Sequence, residues 1–305
     1  MALNQTNKLA WIVQTISDAG KITFEELSRR WAENESLSGG EPLLKRTFHK
    51  WKYSILDTFG LVIDCEKSAP YRYYIDNSEE LHSDSIGNWL LSTCSVSNLL
   101  SESRSIKDRI ILEDVPSGRM FLEPILDAMK RSRFIHFSHY SYTRSDVRPF
   151  YVMPLCVKLY RQRWYMVGRV WPAGDDILFS LDRISDFRLS SHTFDYPDDF
   201  VPQEYFDHCF GIIADRGCKA QDVILKVSAS QSNYLRDLPL MKGADQQEVE
   251  RTDDYSIFKV HVRPTFDFRQ ELLWNADTLE VLEPAWLRKE IACTVKRMLD
   301  KYKEE

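Results

Sequence analysis

The feature that most constrains this chain is a run of short strand-like segments between residues 134 and 189, with no helical segment among them. Apolar and polar residues alternate with a period of two, and only a few residues separate one segment from the next. Connections this short fit antiparallel neighbours better than a parallel sheet. The pattern predicts a small antiparallel β-barrel built from the segments Phe134–Tyr142, Pro149–Leu159, Arg161–Arg169 and Ile177–Leu189.

Charge is distributed unevenly along the chain. The net charge is -6 at pH 7, yet residues 130–169 contain nine Lys or Arg and one acid, Asp146. This local excess of +8 leaves -14 for the rest of the chain. An acidic protein with one basic central segment is better interpreted as holding a focused anion site than as a general coat for nucleic acid.

Alternation along these segments separates two faces of the predicted strands. In the first strand Ile135 and Phe137 face inward and Tyr140 faces outward. In the sequence RQRWYMVGR one face carries Arg161, Arg163 and Tyr165, and the other carries Gln162, Trp164 and Met166. Arginines interleaved with tyrosines suit a flat, negatively charged ligand, because guanidinium groups fork onto phosphate and aromatic rings stack on bases. Trp164 is expected in the core.

The N-terminal third has the pattern of a DNA-binding module. Thr23 with Glu26 forms a capping box, Pro42 fits the first position of a later helix, and Gly60 ends that helix. These signals predict helices over 4–19, 24–31 and 42–58, followed by β-prone runs over 61–65 and 71–75. Three helices and a hairpin are the plan of a winged helix-turn-helix.

The third predicted helix has an apolar face and a basic face. Leu44, Phe48, Trp51 and Ile55 form the apolar face. The residues predicted to contact double-stranded DNA lie on the opposite face and in the following turn: Lys45, Arg46, Thr47, His49, Lys50, Lys52, Tyr53 and Lys67. We expect the helix to enter the major groove while the hairpin holds phosphate. The alternative is a solvated face of the kind that any soluble helix can show.

The C-terminal third alternates strands and helices in the order βαββαβ, which predicts a ferredoxin-like α/β sandwich. Its last helix carries the apolar stripe Leu287, Ile291, Val295 and Met298. Packing on its own sheet and a dimer contact both explain that stripe. A homodimer is expected on separate grounds, because winged-helix regulators commonly read paired half-sites through two-fold symmetry.

These predictions make the chain a multidomain α+β protein. The predicted regions are a winged helix-turn-helix at 1–77, a helical connector at 78–118, a barrel at 119–192, a linker at 193–219 and the α/β extension at 220–305.

Several functional classes are disfavoured by the sequence. There is no Gly-rich phosphate loop, GxSxG or HExxH motif, so we expect no enzyme activity, cofactor or metal. The six cysteines are scattered without a CxxC pair, and no apolar run is long enough to cross a bilayer. The first residues, MALNQTNK, do not resemble a signal peptide, so a cytoplasmic location is expected.

The tetrapeptides RWYM at Arg163–Met166 and LDRI at Leu181–Ile184 resemble the WYL-domain family of bacterial transcriptional regulators. That family is named for a Trp-Tyr-Leu run, and Met166 replaces the leucine here with similar volume and apolarity. The resemblance covers most of the chain. It implies an Sm-like (SH3-like) barrel whose basic, aromatic surface senses a nucleotide or single-stranded nucleic acid. The family motif falls on Trp164, Tyr165, Asp182 and Arg183, with Tyr140 or Tyr142 as the strand tyrosine.

Charge, alternation and the resemblance together predict these ligand-binding residues: Tyr140, Arg148, Lys158, Arg161, Arg163, Tyr165 and Arg183. For Asp182 and Arg183 the alternative is that they pair with each other or cap a barrel edge. The predicted function is a ligand-responsive, DNA-binding transcriptional regulator. The main alternative is a nucleic-acid-sensing interaction protein that controls a partner enzyme such as a defence nuclease, and a nucleotide hydrolase is the least favoured.

Overall fold

A computed structural model describes residues 2–82, 85–102, 109–111, 119–215 and 217–303. The chain forms two compact units, Met1–Glu113 and Asp114–Glu305. Residues 83–84, 103–108 and 112–118 of the predicted connector lie outside the described residues.

The N-terminal unit combines helices with a small antiparallel sheet whose strand order is β1-β3-β2. Its elements are α1 (Ala2–Ala19), β1 (Ile22–Thr23), α2 (Phe24–Glu33), α3 (Glu35–Ser38), α4 (Lys45–Phe59), β2 (Ile63–Cys65), β3 (Arg72–Ile75) and α5 (Ile86–Glu102). The side chain of Thr23 caps α2 by accepting a hydrogen bond from the Glu26 amide at 3.3 Å. Glu26 does not reach back to complete the capping box, because its carboxylate accepts hydrogen bonds from Arg29 and Arg30.

Helix α4 begins three residues later than predicted. Phe48, Trp51 and Ile55 are buried as expected, but Leu44 is 66% exposed and Leu43 is buried in its place. Leu43 precedes the helix, and its carbonyl accepts a hydrogen bond from Ser28 Oγ at 3.2 Å. This contact with α2 lies outside the 3.6-residue period of the helix, which is why the periodicity misplaced the helix start.

Helix α5 packs within the N-terminal unit. Leu91 is buried in its core, and the buried Asn98 donates a hydrogen bond to the Asn7 carbonyl of α1 at 3.0 Å. A polar side chain at this depth is stabilised by that bond.

The second unit begins with α6 (Arg119–Lys130) and a sheet that we call the central sheet. Its strands are β4 (Arg133–Ser141), β5 (Asp146–Tyr160), β6 (Arg163–Val170), β7 (Asp176–Ser180) and β8 (Ile184–Thr193). All neighbouring strands are antiparallel, in the order β7-β6-β5-β4-β8. Ile135, Phe137, Met166 and Phe179 form the core under Ile125 of α6. The predicted segment 177–189 is two strands, separated by a 3₁₀ turn at Leu181–Arg183.

The C-terminal part contains a second antiparallel sheet in the order β10-β11-β9-β12. Its elements are α7 (Pro202–Tyr205), β9 (Gln221–Ser228), α8 (Ala229–Asp237), β10 (Gln246–Arg251), β11 (Tyr255–Val262), α9 (Phe266–Trp274), β12 (Leu279–Glu283) and α10 (Ala285–Asp300). From β9 onward they follow the predicted order. On α10, Leu287 is fully buried and Ile291 packs on the same core, whereas Val295 and Met298 are exposed.

The segment between the two sheets covers one face of the central sheet. Phe200 is buried against Leu155, Cys156 and Val167 of β5 and β6. This packing places residues 200–211 beside side chains that alternation alone would leave in solvent. Within the described part of the chain, no helix combines the length and apolar character needed to cross a membrane.

Candidate functional site

Five side chains meet where β6 begins beside the 3₁₀ turn, and we call them the arginine–tyrosine cluster: Tyr142, Arg163, Tyr165, Asp182 and Arg183. Arg163 Nη1 lies 3.7 Å from Asp182 Oδ2. Asp182 also accepts a hydrogen bond from Ser180 Oγ, and Ser180 lies opposite Tyr165 in the sheet register. The turn and two neighbouring strands therefore hold the cluster together.

Arg183 is the cation of the cluster that has no acidic partner within the described residues. Its guanidinium carbon lies 4.7 Å from the centroid of the Tyr142 ring, and Tyr140 meets Tyr142 edge-on at 5.6 Å between centroids. Asp182 pairs with Arg163, so the alternative that Asp182 and Arg183 pair with each other does not hold. The ring in contact with Arg183 belongs to Tyr142, which lies just beyond the end of β4.

Burial sets the protonation of two groups at this position. Tyr165 is only 9% exposed, and its burial raises the pKa of the hydroxyl. Asp182 adds to this rise while Arg163 and Arg183 oppose it, so Tyr165 is a neutral hydrogen-bond donor at physiological pH.

His139 is the second such group, and the sequence did not single it out as a site residue. Burial lowers the pKa of its imidazole, and the nearby positive charge of Arg183 lowers it further. Its Nε2 atom is buried without a hydrogen-bond partner within the described residues. The one sequence signal for this residue was the alternation along β4, which places His139 on the inward face.

Three other predicted ligand-binding residues are engaged elsewhere. Arg161 lies in the turn before β6, at a φ of 46°, and pairs with Glu271 of α9. It therefore does not share a strand face with Arg163, and the predicted alternation is wrong at this position. Arg148 donates to Asp146 at 2.7 Å.

Lys158 lies under the segment that covers the central sheet. Its Nζ donates to the Gly211 carbonyl at 2.6 Å and lies 4.0 Å from the centroid of the Phe206 ring. Burial lowers the pKa of the Lys158 ammonium. Contacts formed by residues about fifty positions away could not be predicted from alternation.

The predicted DNA-binding residues line the exposed side of α4. Lys45, Arg46 and Lys50 are exposed, and Tyr53 is 78% exposed. The Lys52 ammonium lies 5.6 Å from the Tyr73 ring of β3, and Lys67 is exposed in the turn that joins β2 to β3. Thr47 is half-buried, while His49, Lys52 and Tyr53 line a pocket of about 200 Å³ between α4 and β2.

Two family models match this chain. The model of the WYL domain matches residues 120–189, which contain nearly all of α6 and most of the central sheet. The model of the WCX domain matches residues 219–299. The chain therefore contains a WYL domain followed by a WCX domain.

Two solved structures are similar to this chain at low sequence identity. Proteasome accessory factor B/C (PafBC) of Arthrobacter aurescens is 17% identical, with a TM-score of 0.39; the match covers 97% of this chain and 47% of that chain. A structure described as a CRISPR Cas-related protein is 12% identical, with a TM-score of 0.40 and coverage of 98% of this chain and 85% of that one. The present chain thus spans about half the length of PafBC. No curated protein matches this sequence.

The residues of the WYL motif point to two sides of the central sheet. Met166 is fully buried in the core, and Trp164 packs partly against the same core. Tyr165, between them, lies on the opposite face with Arg163 and reaches the arginine–tyrosine cluster. Among the described residues, no group of three or more His, Cys, Asp or Glu side chains is arranged to hold a metal ion.

Proposed function

We propose that this WYL-domain protein is a ligand-responsive, DNA-binding transcriptional regulator rather than an enzyme. In this proposal α4 reads duplex DNA, and the central sheet, as an Sm-like barrel, senses a nucleotide or single-stranded nucleic acid. The observation that carries the proposal is Arg183, a cation without an acidic partner in the described part of the chain, held against the Tyr142 ring beside the neutral Tyr165 hydroxyl.

The ligand chemistry follows from these groups. Arg183 can bind a phosphate through two parallel hydrogen bonds, and an exposed tyrosine ring such as Tyr142 can stack on a base. The hydroxyl of Tyr165 donates a further hydrogen bond to an anionic oxygen. Arg163 is already neutralised by Asp182, so its role is to hold the acid in place and keep it from binding Arg183.

In this proposal duplex DNA binds at α4, because two exposed cations of that helix are unpaired in the part of the chain that the structure describes. Arg46 and Lys50 make no ion pair within the described residues, and the buried Phe48 and Trp51 fix the helix face that carries them. In the proposed winged helix-turn-helix, α4 lies in the major groove and Lys67 contacts phosphate from the β2–β3 turn.

A homodimer completes the proposal. The exposed Val295 and Met298 at the end of α10 offer an apolar surface in the proposed ferredoxin-like extension, and two-fold symmetry would pair two α4 helices on adjacent half-sites. The ligand can change DNA affinity only by as much as it prefers one arrangement of the two helices over another.

The experiment is to incubate the purified protein with sheared genomic DNA of its source organism and to sequence the retained fragments. A discrete, roughly two-fold symmetric site is the expected result. The absence of any enriched sequence, with and without added nucleotides and single-stranded oligonucleotides, would contradict the proposal. A partner enzyme that co-purifies in that case would favour the interaction protein instead.

A further inference from the structure

The outer face of β4 carries a second aromatic surface, at residues outside the arginine–tyrosine cluster. Tyr151 of β5 stacks on His136, with 4.2 Å between centroids and 25° between planes. It also stacks on Phe134, at 4.6 Å and 18°. Phe134 is the buried end of this three-ring stack and His136 is its exposed end.

Hydrogen bonds fix the middle ring of the stack. The Tyr151 hydroxyl lies 3.3 Å from Ser190 Oγ and 3.2 Å from His192 Nδ1, both on β8. Held at both faces and at its hydroxyl, Tyr151 in turn fixes the orientation of His136. A ring that is ordered before binding loses little conformational entropy when a planar ligand stacks on it.

A cation stands beside the exposed end of the stack. Arg188 of β8 is the register partner of His136 and is exposed. Within the described residues Arg188 makes no ion pair, not even with Asp186, which lies close by at the irregularity of β8. A ring with an unpaired guanidinium next to it is suited to a base and its phosphate.

One side of β4 links this surface to Tyr140, which meets the Tyr142 ring edge-on just beyond the end of the strand. His136, Ser138 and Tyr140 alternate outward along β4, so His136 and Tyr140 are about 14 Å apart along the strand. Between them lies Ser138, whose register partners are Pro149 of β5 and Ser185 of β8. These three residues form a row of small side chains across the sheet. A ligand can therefore follow β4 from one aromatic surface to the other without meeting a bulky side chain in that row.

We propose that His136 and Arg188 form a second base-stacking position, and that the ligand of the central sheet is therefore a single-stranded oligonucleotide rather than a mononucleotide. This rests on the proposed function, because the other end of the oligonucleotide would lie on Tyr142 and Arg183. Successive bases stack on aromatic side chains in this mode of binding, while the cations follow the backbone.

The test measures the affinity of the full chain for a fluorescent oligothymidylate of about ten nucleotides and, by competition, for thymidine monophosphate. His136→Ala and Arg188→Ala should each weaken oligonucleotide binding about tenfold and leave the affinity for the mononucleotide unchanged. His136→Phe keeps a ring at the position and should retain oligonucleotide binding. Arg131→Ala removes an exposed cation of the same domain, next to Asp127, and serves as the charge-matched control.

The outcomes separate the two proposals. If the oligonucleotide binds and is lost on Arg183→Ala but is unaffected by His136→Ala and Arg188→Ala, the second position is overturned while the proposed function stands. If Arg131→Ala weakens binding as much as Arg188→Ala, the cation acts through net charge alone and the second position is equally overturned. If the intact protein binds neither probe, the proposed ligand class itself fails.

Discussion

On α4, Arg46 and Lys50 make no ion pair within the described residues, whereas on the central sheet Arg148, Arg163 and Arg169 each lie against an acid. Both regions are rich in basic residues, yet the cations of the helix face solvent and most of those of the sheet are used within the fold. Counting basic residues therefore overestimates how many cations of the sheet are free to bind an anion. For α4 the same count is a good guide. What remains available beside Tyr142 is chiefly Arg183.

The largest expected effect lies on the helix. The triple variant Lys45→Ala, Arg46→Ala, Lys50→Ala should weaken binding to the selected duplex on the order of a hundredfold, because several charged contacts to phosphate are lost together. The dependence of log affinity on log salt should also become shallower, by about 0.9 per lost phosphate contact. Fluorescence anisotropy across a salt series measures both.

The matched control for that variant removes three exposed lysines of the C-terminal part, away from Val295 and Met298: Lys219→Ala, Lys242→Ala, Lys289→Ala. It changes the net charge equally and should bind the duplex almost as the parent does. Equal losses in the two triple variants would mean that net charge, and not the α4 face, drives DNA binding.

A second prediction concerns stability. Arg169 is mostly buried between Asp176 at 2.7 Å and Asp199 at 2.8 Å, so Arg169→Ala leaves the buried Asp176 without this partner. We expect a loss of roughly 3 kcal/mol in the free energy of unfolding, measured by chemical denaturation. Lys50→Ala, on the exposed side of α4, is the comparison and should change that free energy little. An unchanged stability in Arg169→Ala would show that the sheet arginines are not structural.

The third prediction compares two arginines of the central sheet. Arg183→Ala should weaken binding of the single-stranded oligonucleotide about tenfold to a hundredfold, since a charged hydrogen bond to phosphate is lost. Arg148→Ala removes an arginine already paired with Asp146 and should have a much smaller effect. Titration calorimetry gives both affinities. Equal effects would mean that the total positive charge of the segment, and not Arg183 in particular, determines oligonucleotide binding.

The smallest effect is a pH dependence from His139. Because burial lowers the folded-state pKa of its imidazole, the unfolded chain binds the proton more readily, and the stability that His139 contributes is complete above the unfolded pKa of about 6.5. It is lost as the pH falls from there toward the folded-state pKa. His139→Phe, next to Phe150 and Phe179, should reduce the fall in melting temperature between neutral and mildly acidic pH. The same fall in both proteins would assign the pH dependence to other groups.

Most of the local structure could be predicted from the sequence, because periodicity and helix caps depend on residues only a few positions apart. The bounds of α1, α2 and β3 differ from the predicted ones by at most two residues. Alternation along β4 correctly placed Ile135 and Phe137 inward and Tyr140 outward.

The predictions lost accuracy wherever distant residues decide the outcome. Arg161 pairs with Glu271, 110 positions away, and Lys158 is covered by Phe206. The three-ring stack at Tyr151 joins β4 to β5, and the Tyr151 hydroxyl bonds to β8, through contacts that no single strand pattern contains. A resemblance based on a motif indicates Tyr165 and Arg183, but the availability of a cation depends on the acids that the fold brings to it.

The most direct test of the account measures duplex affinity of the full chain with and without a saturating single-stranded oligonucleotide, using the site recovered from genomic DNA. The account predicts a change in affinity of about fivefold or more in the parent protein, in either direction, and none in Arg183→Ala. An identical duplex affinity with and without the oligonucleotide, under conditions where both bind, would contradict the central claim that the ligand of the sheet controls DNA binding.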